Sequence, residues 1–380
     1  MANGFSKSEM IFFDDVLAGF DSNNVIAKNI KKYKPGMQTF ERSGQTFQRP
    51  IPMIAEVTTG LDVSSQYKDI VELTVPAGLA PTDIKNHAFT LAGAELNDPE
   101  RRKRAAKAAM QGLSAKLDSD AMDAIALQAA LVSTRTGNFT SYDDLSTGET
   151  QLLESEVPNS YRRTLALNPR MAQKMANELA SRATDNGRDL SAYERSLLPM
   201  VGGFETLRSN VANTITGAAS PTVTLNGANQ RKTPTVFDGT NHAAADNRYQ
   251  TITVTNTSGS MANGDAFTIA GVYRVSMITK KSTGQLQTFR VISGGGTTSL
   301  VISPAIIPVD QSGTAFAKYG NVNTTPANGA ALTRLNTATA QPSIFFCEEA
   351  VEMLHGSFDL DEAATAGAAI KRDRTDSGIE

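Results

Sequence analysis

The sequence predicts an α+β protein with an antiparallel β-barrel-like domain inserted into a helix-containing host. Two observations support this prediction. Residues 98–131 carry one long helical pattern with no proline after Pro99. Residues 218–340 are instead crowded with Thr, Gly, Asn and Val, and no Glu occurs between Thr206 and Cys347. Because helical patterns flank this block and the ends of a domain usually lie close together, we interpret it as an insertion.

Residues 1–40 are predicted to form an N-terminal arm. Between residues 8 and 20, apolar side chains recur at helical spacing: Met10, Phe13, Leu17 and Phe20. The segment is too short to be a domain, so its apolar face needs a partner. Two partners remain open, the core of the same chain and a neighbouring subunit. For the second, the candidate contacts are Phe13, Leu17 and Phe20.

Residues 41–97 are predicted to begin with a long hairpin. Val71, Leu73 and Val75 alternate with other residues as in a half-buried strand, and Thr58-Thr59-Gly60 is typical of a loop. A long exposed hairpin invites aggregation unless something pairs with it. We therefore expect a partner for this element as well.

Residues 98–131 are predicted to form a single helix about 50 Å long. Asp98 is a good N-cap and Pro99 suits the first helical position. A narrow apolar stripe runs along one face of this helix: Met110, Leu113, Leu117, Ala121 and Ala124.

The first turns of this helix carry four cations: Arg101, Arg102, Lys103 and Arg104. The cluster is compatible with nucleic-acid binding, with a solvated helix end and with intersubunit salt bridges. Since cations are disfavoured at a helix N-terminus, we expect them to have acidic partners.

A second helix is predicted to start at Asn168-Pro169 and to stop at Asn186-Gly187. The sequence Val201-Gly202-Gly203-Phe204 lacks the spacing of a phosphate-binding loop, so a close-packed turn is expected. Strand-like runs then alternate with turns, which predicts a small barrel or sandwich: YQTITVTNT, AFTIAGVYRVSMI, TFRVIS and SLVISPAII. After residue 340, SIFFCEEAVEMLHG is interpreted as a strand followed by a helix.

The sequence lacks the groups that most catalytic or metal sites need. Lys and Arg number 36 against 39 Asp and Glu, for a net charge of −3, which argues against a polybasic nucleic-acid binder. Cys347 lies in an apolar run and is expected to be a buried thiol, and His87, His242 and His355 are far apart. No catalytic or nucleotide-binding motif occurs. No segment approaches the ~18 apolar residues of a membrane span. We therefore expect no enzyme, cofactor, metal or membrane partner.

The order of these parts, together with several short stretches, resembles the major capsid proteins of tailed phages. It is most similar to the coat proteins of the short-tailed Salmonella phages of the P22 type. Besides the long helix, the resemblance rests on AKNIKKYKP (27–35), GFETLRS (203–209), DNRYQTITVT (246–255), GDAFTIAGV (264–272), FRVIS (289–293) and YGNVNTTPANGAALTRLN (319–336). Generic β composition does not account for the DNR stretch or for the last one.

The resemblance implies the Hong Kong-97-type phage capsid fold. Its implied parts are the N-terminal arm (1–40), the extended hairpin loop with peripheral-domain strands (41–97), the peripheral spine helix (98–131), the axial domain (132–217), the inserted β domain (218–340) and a return to the axial and peripheral domains (341–380). Coats of this kind usually run some tens of residues further, so closing strands of both domains are expected beyond residue 380.

The implied function is a major capsid protein that self-assembles, as hexamers and pentamers, into the icosahedral shell around the double-stranded DNA of a tailed bacteriophage. The implied partners are further copies of the chain, a scaffolding protein, a portal and non-specifically contacted DNA. The implied location is the virion, after assembly in the host cytoplasm. The alternatives are a Thr/Gly-rich phage tail or adhesin protein that binds glycans, which the absence of Trp disfavours, and an enzyme with an unrecognised site.

The resemblance also implies a role for the loop between Phe237 and Tyr249. In the family this loop reaches across a two-fold axis and exchanges charges with its neighbour. The candidate contacts are Asp238, His242, Asp246 and Arg248. Lys280 and Lys281 are candidate partners across the axis.

Overall fold

The structure, a computed structural model, describes most of the chain. The described residues are 7–33, 46–55, 57, 59–61, 64, 67, 71–78, 85–87, 92–134, 142–182, 198, 200–210, 212–237, 246–310 and 316–354. Within them the α-helices are α1 Lys7–Asn23, α2 Gly93–Asn97, α3 Pro99–Gln128, α4 Tyr142–Glu154 and α5 Pro169–Arg182.

The strands fall into three small sheets and one barrel. The small-sheet strands are β1 Lys31–Tyr33, β2 Thr46–Pro50, β3 Thr74–Gly78, β4 Arg163–Leu167, β5 Glu205–Arg208, β12 Ile344–Cys347 and β13 Glu352–Leu354. The barrel strands are β6 Thr222–Leu225, β7 Gln250–Ser258, β8 Ala266–Val275, β9 Ser282–Ser293, β10 Ser299–Ser303 and β11 Ala331–Arg334.

Helix α3 begins where the sequence predicts it. The Glu100 N–H donates to Asp98 Oδ1 at 3.0 Å, and Pro99 follows the cap. The buried positions are Ala106, Ala109, Ser114, Asp118, Met122 and Ala126. In the apolar stripe, Met110, Leu113, Leu117 and Ala121 are half-buried and Ala124 is exposed. At Asp118 the backbone of Val25–Ala27 approaches α3 closely enough to form hydrogen bonds with it.

The predicted arm helix and hairpin are both present. Helix α1 packs against α3 of the same chain. Strands β2 and β3 pair antiparallel, with Gln48 opposite Pro76. In the second predicted helix, the Arg170 N–H donates to Asn168 Oδ1 at 2.9 Å, which confirms the N-cap. The predicted stop at Asn186-Gly187 lies outside the described residues.

The segment after residue 340 differs from the prediction. Strand β12 is present, but a short 3₁₀ turn and strand β13 replace the expected helix. Strand β13 pairs in parallel with β1, so that Glu352 lies opposite Lys31. This pairing with a distant part of the chain overrides the local helical pattern. Strand β12 joins β4 and β5 in a mixed sheet of order β12–β4–β5.

The insertion is a closed six-stranded barrel of order β10–β7–β6–β11–β8–β9, with every pairing antiparallel. This confirms the barrel-like domain. Its core has one buried cluster that includes Phe267, Phe289 and Ile252. Two further clusters form the host: one beneath α4 and α5, and one that joins Ile26 of the arm to Met122 of α3.

The two chain segments that join the barrel to the host form a narrow neck. Ile215 and Ala340 exchange backbone hydrogen bonds of 2.9 and 3.1 Å. A Cβ atom at Gly217 would lie 2.1 Å from the Ala338 carbonyl carbon, so only glycine allows this approach. The neck therefore holds the insertion by paired backbone rather than by a loose linker.

Candidate interaction surfaces

The arm is anchored to α3 by a buried carboxylate. Asp118 Oδ1 accepts hydrogen bonds from the N–H groups of Ile26 (3.1 Å) and Ala27 (2.8 Å). Its Oδ2 accepts from the Val25 N–H at 2.7 Å. The residue is 4% exposed. Sequence reasoning missed this anchor.

The arm residues singled out from the sequence lie in α1, which packs against α3. Phe13, Leu17 and Phe20 are all half-buried, so the subunit itself covers part of the face. Met10 and Ile11 are more exposed, at 42% and 36%. Helix α1 thus packs on its own chain and still leaves apolar surface uncovered.

Two of the four cations at the start of α3 are paired within the chain. Arg101 Nη1 lies 2.8 Å from Glu95 Oε1. Arg102 Nε lies 3.7 Å from Asp15 Oδ2, an ion pair that links α3 to α1. These contacts supply the acidic partners expected at this helix end.

Lys103 and Arg104 are exposed on the outer side of α3. Neither forms an ion pair with any residue in the described part of the chain. Lys107, one turn further on, is exposed as well and extends this basic face. Of the four cations, Arg101 and Arg102 therefore form ion pairs within the subunit, whereas Lys103 and Arg104 remain available for contacts with another molecule.

The hairpin is tied to the β1–β13 sheet by one arginine. Arg49 donates from Nε and Nη2 to the two carboxylate oxygens of Glu352, at 2.7 and 2.8 Å. Its guanidinium also lies 3.4 Å from the ring centre of Tyr33. A bidentate, stacked arginine fixes direction as well as distance. Beyond β2, the side chains of Val57 and Leu61 are almost fully exposed.

A glutamate at the end of α4 clamps the host to the insertion. Glu156 Oε2 accepts from the N–H groups of Ile278 (3.0 Å) and Thr279 (2.8 Å) and from the Ser276 hydroxyl. Its Oε1 accepts from the Thr279 hydroxyl at 2.7 Å. These hydrogen bonds, led by the one from Ser276, lower the pKa of Glu156 to about 2.

The backbone of Glu156 shows why this residue is unusual. The Val157 N–H donates to Leu152 and the Glu156 N–H to Leu153, which is a Schellman ending for α4. The left-handed position of that motif, here with φ 58°, is normally glycine. The chain instead places a glutamate there. The strain of this backbone conformation indicates that the carboxylate is needed for its hydrogen bonds to Ser276, Ile278 and Thr279.

The clamp predicts a specific pH response. Because the folded pKa of Glu156 lies below its ordinary value of 4.5, its stabilisation is complete above about pH 4.5 and is lost as pH falls toward about 2. The melting temperature of Glu156→Gln should therefore lie below that of the wild type at pH 7, and the gap should narrow as pH falls. Calorimetry across pH 2–7 measures this difference.

Glu205→Gln provides the control, because it removes a carboxylate from the exposed pair with Arg162. Exposed pairs contribute little to stability. A gap between wild type and Glu156→Gln that stays constant from pH 7 to pH 2 would contradict the assigned role.

Two further cations lie beside the clamp. Arg274 Nη2 pairs with Glu154 Oε2 at 2.7 Å. Lys280 Nζ donates to the Gly320 carbonyl at 3.1 Å, and burial lowers the pKa of Lys280 to about 8. Lys280 is thus committed to its own subunit, whereas Lys281 is exposed.

A buried ion pair, Arg334–Asp265, lies at the end of the barrel next to the neck. Arg334 donates from Nε to Asp265 Oδ2 at 2.8 Å, and the two side chains are 4% and 5% exposed. Arg334 also donates to the carbonyls of Ala219 and Ser260, at 2.7 and 2.8 Å. Sequence reasoning did not find this buried pair.

The loop predicted to reach a neighbour is described only at its C-terminal end. Asp238 and His242 lie outside the described residues. Asp246 accepts from Arg248 Nε at 3.0 Å and from its Nη2 at 2.8 Å, so these two pair with each other. Lys232 Nζ donates to the carbonyls of Asp246 and Tyr249. The root of the loop is therefore built from charged groups of the same chain.

Within the described ranges, no group of three or more His, Cys, Asp or Glu side chains is placed to hold a metal ion. None of the helices in the same ranges is long and apolar enough to cross a bilayer. Cys347 is buried, and burial raises the pKa of its thiol. This agrees with a structural thiol.

Comparison with known proteins gives a family match over the full length of the chain. The model of the family described as "P22 coat protein - gene protein 5" matches residues 1–380. Among solved structures, the CUS-3 coat protein I-domain is 41% identical, with 31% of this chain and 99% of that chain covered and a TM-score of 0.26. A structure from Mycobacterium phage Che8 is 11% identical, with 85% and 90% covered and a TM-score of 0.38. The mature capsid of bacteriophage PhiM1 is 10% identical, with 87% of each chain covered and a TM-score of 0.34.

Proposed function

The chain belongs to the P22 coat protein family, and from this premise we propose that it builds a closed icosahedral shell around the double-stranded DNA of a tailed phage. Membership establishes the coarser statement: the chain is a major capsid protein, a structural component that forms the multimeric shell of the virion. It also confirms the resemblance found in the sequence. The glycan-binding alternative loses its basis, because the family match spans the whole chain.

One observation supports the proposal that the hairpin contacts a neighbouring subunit during assembly. The subunit holds out a hairpin whose apolar side chains are left in solvent, with Val57 and Leu61 at 90% and 105% exposure. A neighbouring copy that covers them would remove this apolar surface from water. The Hong Kong-97-type fold, with hexamers and pentamers, is the arrangement that we propose for these contacts.

The arm and the start of α3 are the second proposed contact. Phe13, Leu17 and Phe20 would complete their burial against a neighbour, because their own subunit covers them only in part. Lys103 and Arg104 would pair with carboxylates of that neighbour. Scaffolding protein and portal are the further proposed partners, with assembly in the host cytoplasm. Packaged DNA would touch the shell only weakly, because a chain of net charge −3 repels phosphate.

The loop between Phe237 and Tyr249 is the proposed contact across the two-fold axes. A two-fold contact is self-complementary, so each acidic group of this loop meets a basic group of its neighbour, and the reverse. The proposed residues are Asp238, His242, Asp246 and Arg248. Asp246 and Arg248 place both signs of charge at the root of the loop, as a self-complementary contact requires. Lys281 is the better of the two suggested partners, since Lys280 is half-buried.

Negative-stain electron microscopy of the purified protein tests the function and this contact together. The wild type should form closed shells, whereas fibres or dispersed particles would contradict the proposed function. Asp238→Ala with Asp246→Ala should melt like the wild type yet give open or misshapen products. Each exposed pair is worth only ~0.2–1 kcal/mol, but the contact repeats at every two-fold axis.

Asp310→Ala is the control, because it removes an exposed carboxylate elsewhere on the insertion. Normal shells from the double variant, at low and at high salt alike, would remove the loop from the assembly mechanism. They would leave the coat function itself intact.

A further inference from the structure

Two stretches that generic β composition does not explain contain side chains that reach out of the insertion. The first holds Asn247, which is 5% exposed. Its Oδ1 accepts from the Thr235 N–H at 2.9 Å, and its Nδ2 donates to the Thr235 carbonyl at 3.0 Å. The same Nδ2 also donates to the carbonyl of Thr74 at 3.2 Å. One carboxamide thus joins the insertion to strand β3 of the hairpin.

The second stretch holds Tyr319, which is 4% exposed. Its hydroxyl donates to the carbonyl of Val71 at 2.7 Å. Between the two anchored carbonyls lies Leu73, a residue only 2% exposed. The Leu73 carbonyl accepts from the Ile51 N–H at 2.8 Å. Because Ile51 directly follows β2, this bond links the anchored segment to the other strand of the hairpin. Both strands of the hairpin are therefore fixed from the insertion at the end of the ladder where Pro50 lies opposite Thr74.

We propose that Asn247 and Tyr319 are positioning residues through which the insertion sets the direction of the hairpin. The inference rests on the proposed function, in which the hairpin contacts a neighbouring subunit. An isolated two-stranded hairpin is marginally stable in water. Two hydrogen bonds from the insertion, added to the Arg49–Glu352 pair on β2, hold the hairpin in one orientation before any neighbour arrives.

The residue types fit this role. Asn247 faces one N–H and two carbonyls, so it must accept once and donate twice, which a carboxamide can do and a carboxylate cannot. Asn247→Asp keeps the size of the side chain and the acceptor for Thr235, but it loses both donors. Tyr319→Phe keeps the ring in its buried site and removes only the hydroxyl.

Hydrogen exchange of the full-length chain, followed by mass spectrometry, tests the proposal. In the double variant Asn247→Asp, Tyr319→Phe, peptides covering 46–55 and 71–78 should exchange about tenfold faster or more, because buried hydrogen bonds are lost. Peptides from β7 and β8 should be unchanged. The matched control is Asn256→Asp with Tyr273→Phe. Asn256 bonds the Thr297 carbonyl inside the insertion, and Tyr273 is 39% exposed.

Unchanged exchange of the hairpin peptides in the double variant would overturn the inference, whatever the shells look like. Faster exchange with misshapen shells supports both the inference and the proposed function. Faster exchange with normal shells supports the positioning role and counts against the hairpin as an assembly contact. If the double variant also loosens the barrel peptides, Tyr319→Phe alone decides by the same comparison.

Discussion

Replacing Asp265 with Ala is expected to lower the free energy of unfolding of the barrel by about 3–5 kcal/mol, because it leaves the buried Arg334 without its counter-charge. The same change removes acceptors for the Ala262 N–H and the Asn336 carboxamide. Since a domain is stable by only ~5–15 kcal/mol, this loss is a large fraction of the total. Urea denaturation of the full-length chain, followed by circular dichroism, measures it.

Two companion variants separate this effect from general damage. Asp310→Ala removes an exposed carboxylate from the same domain and should change stability by about 0.5 kcal/mol or less. Asp265→Leu with Arg334→Met should be more stable than either single change, because no charge is then left buried alone. If Asp265→Ala unfolds at the same urea concentration as Asp310→Ala, the pair does not hold the barrel closed.

The parts of this fold that local patterns determine could be predicted from the sequence. Asp98 and Pro99 predict the start of α3, and alternation of apolar residues predicts the barrel strands. The pattern also predicts that Cys347 is buried. Each of these features depends on residues close together in the chain.

Helix α4 shows where local patterns fail. Ser146, Thr147 and Gly148 have modest or poor helix propensity, so the segment was not predicted to be helical. In the structure, the hydroxyls of Ser146 and Thr147 donate to the Asp143 carbonyl. Gly148 lies against the ring of Phe345, where an added Cβ would be 3.4 Å from the ring. Tertiary packing, rather than propensity, makes this helix.

The carboxylates that organise the molecule could not be identified from local sequence either. Asp118 binds backbone 91 residues away, and Glu156 binds a turn 123 residues away. The local sequence around a carboxylate that accepts hydrogen bonds from distant backbone N–H groups does not differ from the sequence around a surface carboxylate. The hydrogen-bond partners of these residues can be identified only from the folded structure, in which the distant segments lie next to each other.

Replacing Asp118 with Ala is expected to release the arm and to prevent shells from closing. The change leaves the N–H groups of Val25, Ile26 and Ala27 without an acceptor in a buried site. At about 1–3 kcal/mol for each unsatisfied group, the loss should reach about 3 kcal/mol or more. Hydrogen exchange of peptides covering 24–30 should rise, while barrel peptides stay protected. Electron microscopy of the same samples should show unassembled subunits.

Position 120 supplies the matched control on the same helix. Asp120 pairs with Lys85 and Lys116 at 2.9 Å in partly exposed geometry. Its replacement by Ala should cost about 1 kcal/mol or less and leave shells intact. Asp118→Asn should fall between the two, because its one remaining oxygen can still accept from Ile26 and Ala27 while its amino group faces the Val25 N–H. Shells of normal shape and yield from Asp118→Ala, with peptides 24–30 still protected, would show that packing of Ile26 and Ile30 alone holds the arm.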